Sequence, residues 1–133
     1  MTFVEYLNEA YYNDKEIVKY HKDVFFPKNW EKLVNGMLHH IYNLKYSHHA
    51  SEEATDRKVP TVNKRDLNAK EVFEIVTDLT GKLLKVGFRI QNLDKKDVIA
   101  VISKEGLVIT TWLNSRNDSH TTLRRSEYAQ GLT

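Results

Sequence analysis

The chain contains no cysteine. This absence excludes disulfide bonds and any zinc or iron–sulfur site that depends on cysteine ligands. The first twelve residues hold two acids and no basic cluster ahead of an apolar run, so no secretory signal is predicted there. No apolar stretch approaches the roughly 20 residues that span a bilayer. We therefore expect a cytoplasmic protein that has no membrane partner.

Motifs that mark common catalytic and metal sites are also missing. The chain has no glycine-rich phosphate loop, nucleophile elbow, HExxH pair or EF-hand loop. Its histidines include two tandem pairs, His39-His40 and His48-His49. Adjacent residues of a helix point about 100° apart, so one pair cannot easily share an ion. Neither pair has another ligand at the usual spacing, and we predict no metal site and no cofactor.

The composition is that of a soluble globular protein. The 133 residues are 41% hydrophobic and 29% charged, which fits a single domain over residues 1–133. The net charge of +2 decides little, but basic residues cluster locally. The segment 57–70 has one acid among several basic residues, and Arg124 and Arg125 form a pair near the C-terminus. Such patches can bind a phosphate backbone, although a solvated loop has the same composition.

Hydrophobic spacing predicts that residues 1–80 are mainly helical. The clearest signal is the segment 28–43, whose apolar residues recur at intervals of three and four. Upstream, Thr2 is a candidate N-cap for a first short helix. Asp14 is a candidate N-cap for a second helical segment that includes Ile17.

Two further helices are predicted before the sequence pattern changes. Ser47 can cap a helix over 47–57, which carries a narrow stripe of alanine residues. Asn68 is a candidate N-cap for the next helix, whose buried face would include Val72. Gly81 then has the place of the glycine that commonly follows a helix.

From residue 84 the hydrophobic period changes from 3.6 to 2. Residues 84–91 alternate apolar and polar, residues 98–103 are apolar on both faces, and residues 107–113 form a third apolar run. Short connections predict an antiparallel β-meander over 83–113. The predicted fold class is α+β, with a helical N-terminal half packed on a three- to four-stranded antiparallel sheet and a polar tail at 114–133.

Two polar groups of residues are candidates for chemistry. His49, Glu53 and Arg57 recur every four residues of a predicted helix, so they lie along one side of it. They could provide acid–base chemistry beside a bound phosphate, although an exposed helix face with ordinary ion pairs has the same pattern. The second group follows the last strand, from Asn114 onward, and includes His120. Loops beyond strand ends often carry functional groups, but a polar turn has the same composition.

The stretch 44–57 (LKYSHHASEEATDR), followed after the basic loop by 72–75 (VFEI), resembles the RegB-type phage endoribonucleases of the RelE/YoeB-like (barnase–EndoU–colicin–RelE) superfamily. The resemblance implies a phage-encoded protein with a RelE/RegB-like fold, and it matches His49 to the histidine needed for cleavage. Two positions depart from that family. Glu53 stands where the family has an arginine, and Thr77 or a neighbour stands where it has a histidine.

We therefore expect a metal-independent endoribonuclease-like protein in which the 2′-hydroxyl of RNA attacks the adjacent phosphate. His49 is the predicted base, His120 the predicted acid, and Arg57 with Arg89 would stabilise the charged phosphorane. The residues predicted to bind the RNA are Lys58, Lys64, Arg65, Arg89, Arg124 and Arg125.

The expected partner is mRNA or tRNA, free or on the ribosome, in the host cytoplasm if the protein is phage-encoded. The alternative is a catalytically inactive phage factor that binds RNA or a host protein and inhibits a host enzyme. A winged-helix DNA-binding domain also combines helices with a β-hairpin. It is disfavoured because no predicted helix has a basic recognition face.

Overall fold

The computed structural model describes residues 16–91, 96–117 and 123–131. Within them the chain forms one six-stranded sheet in the order β1-β3-β4-β5-β6-β2. The strands are β1 (Ile17–His21), β2 (Lys45–Tyr46), β3 (Val72–Asp78), β4 (Leu83–Gln91), β5 (Lys96–Ser103) and β6 (Leu107–Ser115). The α-helices are α1 (Trp30–His40) and α2 (His48–Asp56), and single 3-10 turns lie at Lys64–Asp66, Ala69–Glu71 and Arg125–Glu127.

The sheet is mixed. β1, β3, β4, β5 and β6 pair antiparallel with their neighbours, whereas the two-residue β2 pairs parallel to β6. All three strands predicted between residues 84 and 113 are present and form the meander β4-β5-β6. In β5, every residue from Asp97 to Ser103 is buried, as the two-sided apolar pattern of 98–103 predicted.

α1 supplies the largest helical contribution to the core. It forms within the predicted segment 28–43, and its Val34 and Met37 are buried. Val86 and Phe88 of β4 belong to the same core cluster, and both side chains are fully buried. Leu84, which is also buried, instead borders a small cavity beside Val76.

The prediction of a helical N-terminal half on a three- to four-stranded antiparallel sheet is wrong. Ile17, predicted in a helix, begins strand β1, and Val72, predicted on a helix face, begins strand β3. Both strands are rich in β-branched and aromatic residues, which favour a pleated sheet. β1 pairs with β3 more than fifty residues further along the chain, as in the register Ile17↔Asp78, so local spacing could not reveal it. The helix predicted after Thr2 lies outside the described residues, as does Asp14.

Capping chemistry is present at Asn68 but begins only a single 3-10 turn. Its side chain accepts a hydrogen bond from the Lys70 N–H at 2.9 Å and donates one to Glu71 Oε1 at 2.6 Å. Gly81 does not end a helix. It has φ +88° in the turn between β3 and β4, where Asp78 Oδ1 accepts three hydrogen bonds from the turn residues. A positive φ is what glycine provides in such tight turns.

The two edges of the sheet are covered by different segments of the chain. On the β6 side, Ser47 caps α2 by accepting from the Ala50 N–H at 2.9 Å, as predicted. The Ser47 hydroxyl also donates to the Ile109 carbonyl at 3.0 Å, which joins the start of α2 to β6. On the β1 side, the Ala129 N–H donates to the Lys19 carbonyl at 2.7 Å. Within the described parts of the chain, no helix is long and apolar enough to cross a membrane.

Candidate functional site: a histidine–glutamate pair beside a cationic groove

The side chains of His49 and Glu53 are in direct contact on α2. His49 Nε2 lies 2.5 Å from Glu53 Oε1, and the same oxygen accepts a hydrogen bond from the Thr110 hydroxyl at 2.9 Å. The His49 side chain is 42% exposed and that of Glu53 is 20% exposed. Because Nε2 faces the carboxylate, Nδ1 is the ring nitrogen that remains to exchange a proton with a ligand.

The position of this couple follows from local packing. Ala50, the neighbour of His49, is fully buried, and Ala54 packs partly buried against the same core. The small side chains let α2 approach β6 closely, which brings Glu53 within reach of Thr110. Sequence reasoning found the spacing of His49 and Glu53 but not Thr110, because that partner comes from a strand 57 positions away.

Arg57 is the third residue of the predicted side of α2. It is the C-cap residue, it is exposed, and its N–H donates to the Glu53 carbonyl at 3.0 Å. Lys58 follows with φ +54° and ends the helix in the left-handed region, which is uncommon for a residue other than glycine. Both side chains therefore project from the far end of α2, one turn beyond Glu53.

A cationic groove lies where the basic loop meets β2. It is lined by Asn43, Leu44, Lys45, Asn63, Lys64 and Arg65. Two of the predicted RNA-binding residues, Lys64 and Arg65, therefore line the same groove as Lys45. No carboxylate is among the described residues that line this groove.

The loop that carries Lys64 and Arg65 is held in place by the core. Val59 and Val62 are buried in the main cluster, and the Val62 N–H donates to the Tyr46 hydroxyl at 2.8 Å. Burial raises the pKa of Tyr46, so its hydroxyl is neutral at ordinary pH. The interpretation of 57–70 as a merely solvated loop therefore does not describe its apolar residues.

Arg89 lies in a second, mixed-charge cleft. Its Nε is 2.7 Å from Asp97 Oδ2, its Nη2 donates to the Ser115 carbonyl at 2.7 Å, and its side chain is only 11% exposed. Arg116 shares the same carboxylate at 3.3 Å. The cleft is also lined by Lys22, Asn68, Lys70, Glu71, Gln91 and Asn117. Burial is the largest cause of the raised pKa of Glu71, and the nearby charge of Asp66 raises it further.

The remaining predicted residues lie elsewhere. Arg124 and Arg125 are exposed in the segment that follows residue 123, and Arg124 pairs with Glu127 at 3.7 Å. This segment borders β1, at the opposite edge of the sheet from β2. At about 4.8 Å per strand, the two edges are roughly 24 Å apart. His120 lies outside the described residues, so its predicted meeting with His49 stays a prediction.

The other histidines of the described regions do not form a ligand cluster. The His39 and His40 rings are exposed at the end of α1, with centroids 5.8 Å apart, and His48 Nε2 pairs with Glu52 at 2.8 Å. Over these regions no group of three or more histidine and acidic residues could hold a metal ion.

We compared the chain with models of protein families, with curated proteins and with solved structures, and none of the three comparisons found a match.

Proposed function

We propose that this protein binds RNA through the groove formed by Lys45, Lys64 and Arg65. The observation that carries the proposal is the convergence of three cations from two separate segments on one groove whose described lining includes no carboxylate. Phosphates of a nucleic acid backbone are the natural ligand of such a surface. The choice of RNA rests on the resemblance of 44–57 to the RegB-type endoribonucleases.

Hydrogen bonds fix the backbone of the turn that carries Lys64 and Arg65. The Asn63 N–H donates to Asp66 Oδ2 at 2.9 Å, and the Asn63 side chain accepts from the Asp66 N–H, which together form a capping box around Lys64 and Arg65. The one acid of the turn, Asp66, therefore has its carboxylate engaged in a hydrogen bond to the backbone. A fixed backbone reduces the conformational entropy that binding would otherwise cost.

The first experiment measures the affinity for a labelled single-stranded RNA over a range of salt concentrations. Each phosphate contact to a single strand contributes about 0.7 to the slope of log K against log salt, so Lys64→Ala with Arg65→Ala should reduce that slope by about 1.4. Arg124→Ala with Arg125→Ala is the comparison variant: these arginines were also predicted to bind RNA, but they lie at the opposite edge of the sheet from the groove, so the slope should change less. An unchanged affinity and slope in the groove variant would overturn the proposal.

A second candidate function is metal-independent cleavage of the bound RNA at His49. The Glu53 carboxylate fixes Nε2, as the carboxylate partners of catalytic histidines do, and leaves Nδ1 to act as the base. His49 would take the proton of the 2′-hydroxyl while that oxygen attacks phosphorus. The bond from phosphorus to the 5′-oxygen then breaks, and an acid returns a proton to that oxygen. His120 is the residue predicted for this last step.

The groove and His49 are close along the chain. Lys45 precedes His49 by four residues, so their Cα atoms are at most about 14 Å apart. Cleavage at His49 therefore requires that an RNA strand held by Lys45 continue over this short distance to the histidine–glutamate pair.

Cleavage is tested by incubating RNA with the protein in EDTA and analysing the product ends. His49→Ala should reduce the rate by about 100-fold or more, since general acid–base catalysis contributes on that scale. His48→Ala is the matched control, because His48 is the adjacent histidine and has its own glutamate partner. A 2′-deoxy substrate should remain intact. If the wild type binds RNA and leaves it uncut, the binding function alone is retained.

A further inference from the structure

One aromatic side chain, which directly precedes the groove in the chain, is almost completely exposed. Tyr42 is 89% exposed, whereas Ile41 before it is 3% exposed in the core. Tyr42 directly precedes Asn43, which lines the groove together with Lys45. An isolated apolar residue on a surface is ordinary, so the exposure of Tyr42 gains meaning only from this neighbourhood.

The backbone on both sides of Tyr42 is fixed. The Ile41 N–H donates to the Met37 carbonyl at 3.1 Å, and the Lys45 N–H donates to the Gly106 carbonyl at 3.0 Å. Gly106 has φ +94°, and a Cβ atom there would lie 2.9 Å from Ile41 Cγ2 and 3.1 Å from the Asn43 carbonyl oxygen. The Tyr42 ring is thus presented to solvent from a tightly packed connection.

We propose that Tyr42 is a base-stacking platform and that the preferred ligand of the groove is single-stranded RNA. This inference rests on the proposed function, because the phosphates in the groove are what bring a base to the ring. Aromatic rings beside a cationic track are the usual means of binding single strands, since every base has a π-face. The bases of a duplex are stacked on each other, so a duplex offers Tyr42 no free face.

The size of the expected effect follows from the stacking of one base. Loss of one such contact lowers affinity by about 5- to 150-fold. Tyr42→Leu removes the aromatic ring and keeps an apolar side chain, whereas Tyr42→Phe keeps the ring. Leu79→Ala is the control for a change at an exposed apolar residue, because Leu79 is 68% exposed in the β3–β4 turn and is not among the residues that line the groove.

The experiment uses three probes: oligoadenylate, a fully base-paired RNA duplex without a loop, and inorganic polyphosphate, which has the charges but no bases. For oligoadenylate, Tyr42→Leu should lose at least 5-fold in affinity, and Tyr42→Phe and Leu79→Ala should stay within 2-fold of the wild type. For polyphosphate, Tyr42→Leu should bind like the wild type, while Lys64→Ala with Arg65→Ala should bind more weakly. Melting temperatures of all variants are measured alongside.

The outcomes separate this inference from the proposed function. If Tyr42→Leu binds oligoadenylate like the wild type while the groove variant binds more weakly, stacking is refuted and RNA binding in the groove stands. Equal affinity of the wild type for duplex and single strand also refutes stacking. If neither variant changes the affinity for any probe, the groove itself is refuted, and Tyr42 is then a candidate contact for another protein.

Discussion

Removal of the Asp97 carboxylate should be among the most destabilising single changes in this protein. Its side chain is 5% exposed and lies 2.7 Å from the Arg89 guanidinium, which is itself 11% exposed. Asp97→Ala leaves the charge of Arg89 buried without its carboxylate, which should lower the free energy of unfolding by about 3–5 kcal/mol. The assay is equilibrium unfolding in urea, where a slope of about 2 kcal/mol per molar places the loss in midpoint near 2 M.

Arg116 provides the internal comparison for this prediction. It binds the other oxygen of Asp97 at 3.3 Å, but its side chain is 41% exposed, so Arg116→Ala should cost only about 0–1 kcal/mol. Replacing Arg89 by methionine together with Asp97 by leucine should recover much of the loss, because both desolvated charges are removed at once. A midpoint shift below about 0.5 M for Asp97→Ala, or equal losses for Asp97→Ala and Arg116→Ala, would refute the reasoning.

Other predictions concern the core, one turn and the dependence on pH. Phe88→Ala should lower the free energy of unfolding by about 3–5 kcal/mol, since the ring is fully buried; a loss below about 1 kcal/mol in urea unfolding would contradict this. Gly106→Ala should lower the free energy of unfolding in urea by about 1–3 kcal/mol because of its positive φ and the contact with Ile41. Gly36→Ala in α1, where a Cβ meets nothing within 4 Å, should be neutral or stabilising in the same urea experiment. Hydrogen bonds from the turn, first that of the Thr80 hydroxyl, lower the pKa of Asp78 below its ordinary value of 3.8. The ionised carboxylate therefore stabilises the folded protein above pH 3.8, and this stabilisation is lost as the pH falls through the lowered pKa. Asp78→Asn should therefore differ from the wild type in melting temperature at pH 6 and converge with it toward pH 3, and a constant difference would exclude this linkage.

The sequence predicted those parts of the fold whose signals are local. The alternation in 84–91, the two-sided apolar run of 98–103 and the helical stripe within 28–43 each appear as the expected element. The N-cap at Ser47 was also predictable, because one side chain and the next turn of helix suffice to make it.

The strands β1 and β3 were missed because their pairing is non-local. Val72 and Val76 recur at a helical interval, but the segment between them also has the β-branched and aromatic composition of a strand. In the folded chain this segment pairs with β4 through the turn at Gly81, so it is a strand and not a helix. A glycine that follows a possible helix and a glycine that turns a hairpin look alike in sequence, since both provide a positive φ.

The candidate site was predicted in part for the same reason. His49 and Glu53 share one helix, so their contact followed from spacing, and the basic loop was visible in composition. Lys45 lies in the stretch 44–57, but nothing in the sequence indicated that it would line one groove together with Lys64. Arg89 was predicted to stabilise the phosphorane, but its carboxylate partner Asp97 was not predicted, because it lies outside the predicted strand 98–103.

The covered edges of the sheet have a consequence for association between molecules. An open edge strand can pair with a strand of another chain, and short edge strands or covering segments prevent this. Here β2 is only two residues long and leads directly into α2. On the outer side of β1, the Ala129 N–H donates a hydrogen bond to the Lys19 carbonyl. Loss of the segment around Ala129 would expose β1 and favour aggregation through added strands, and it would also remove the buried ring of Tyr128.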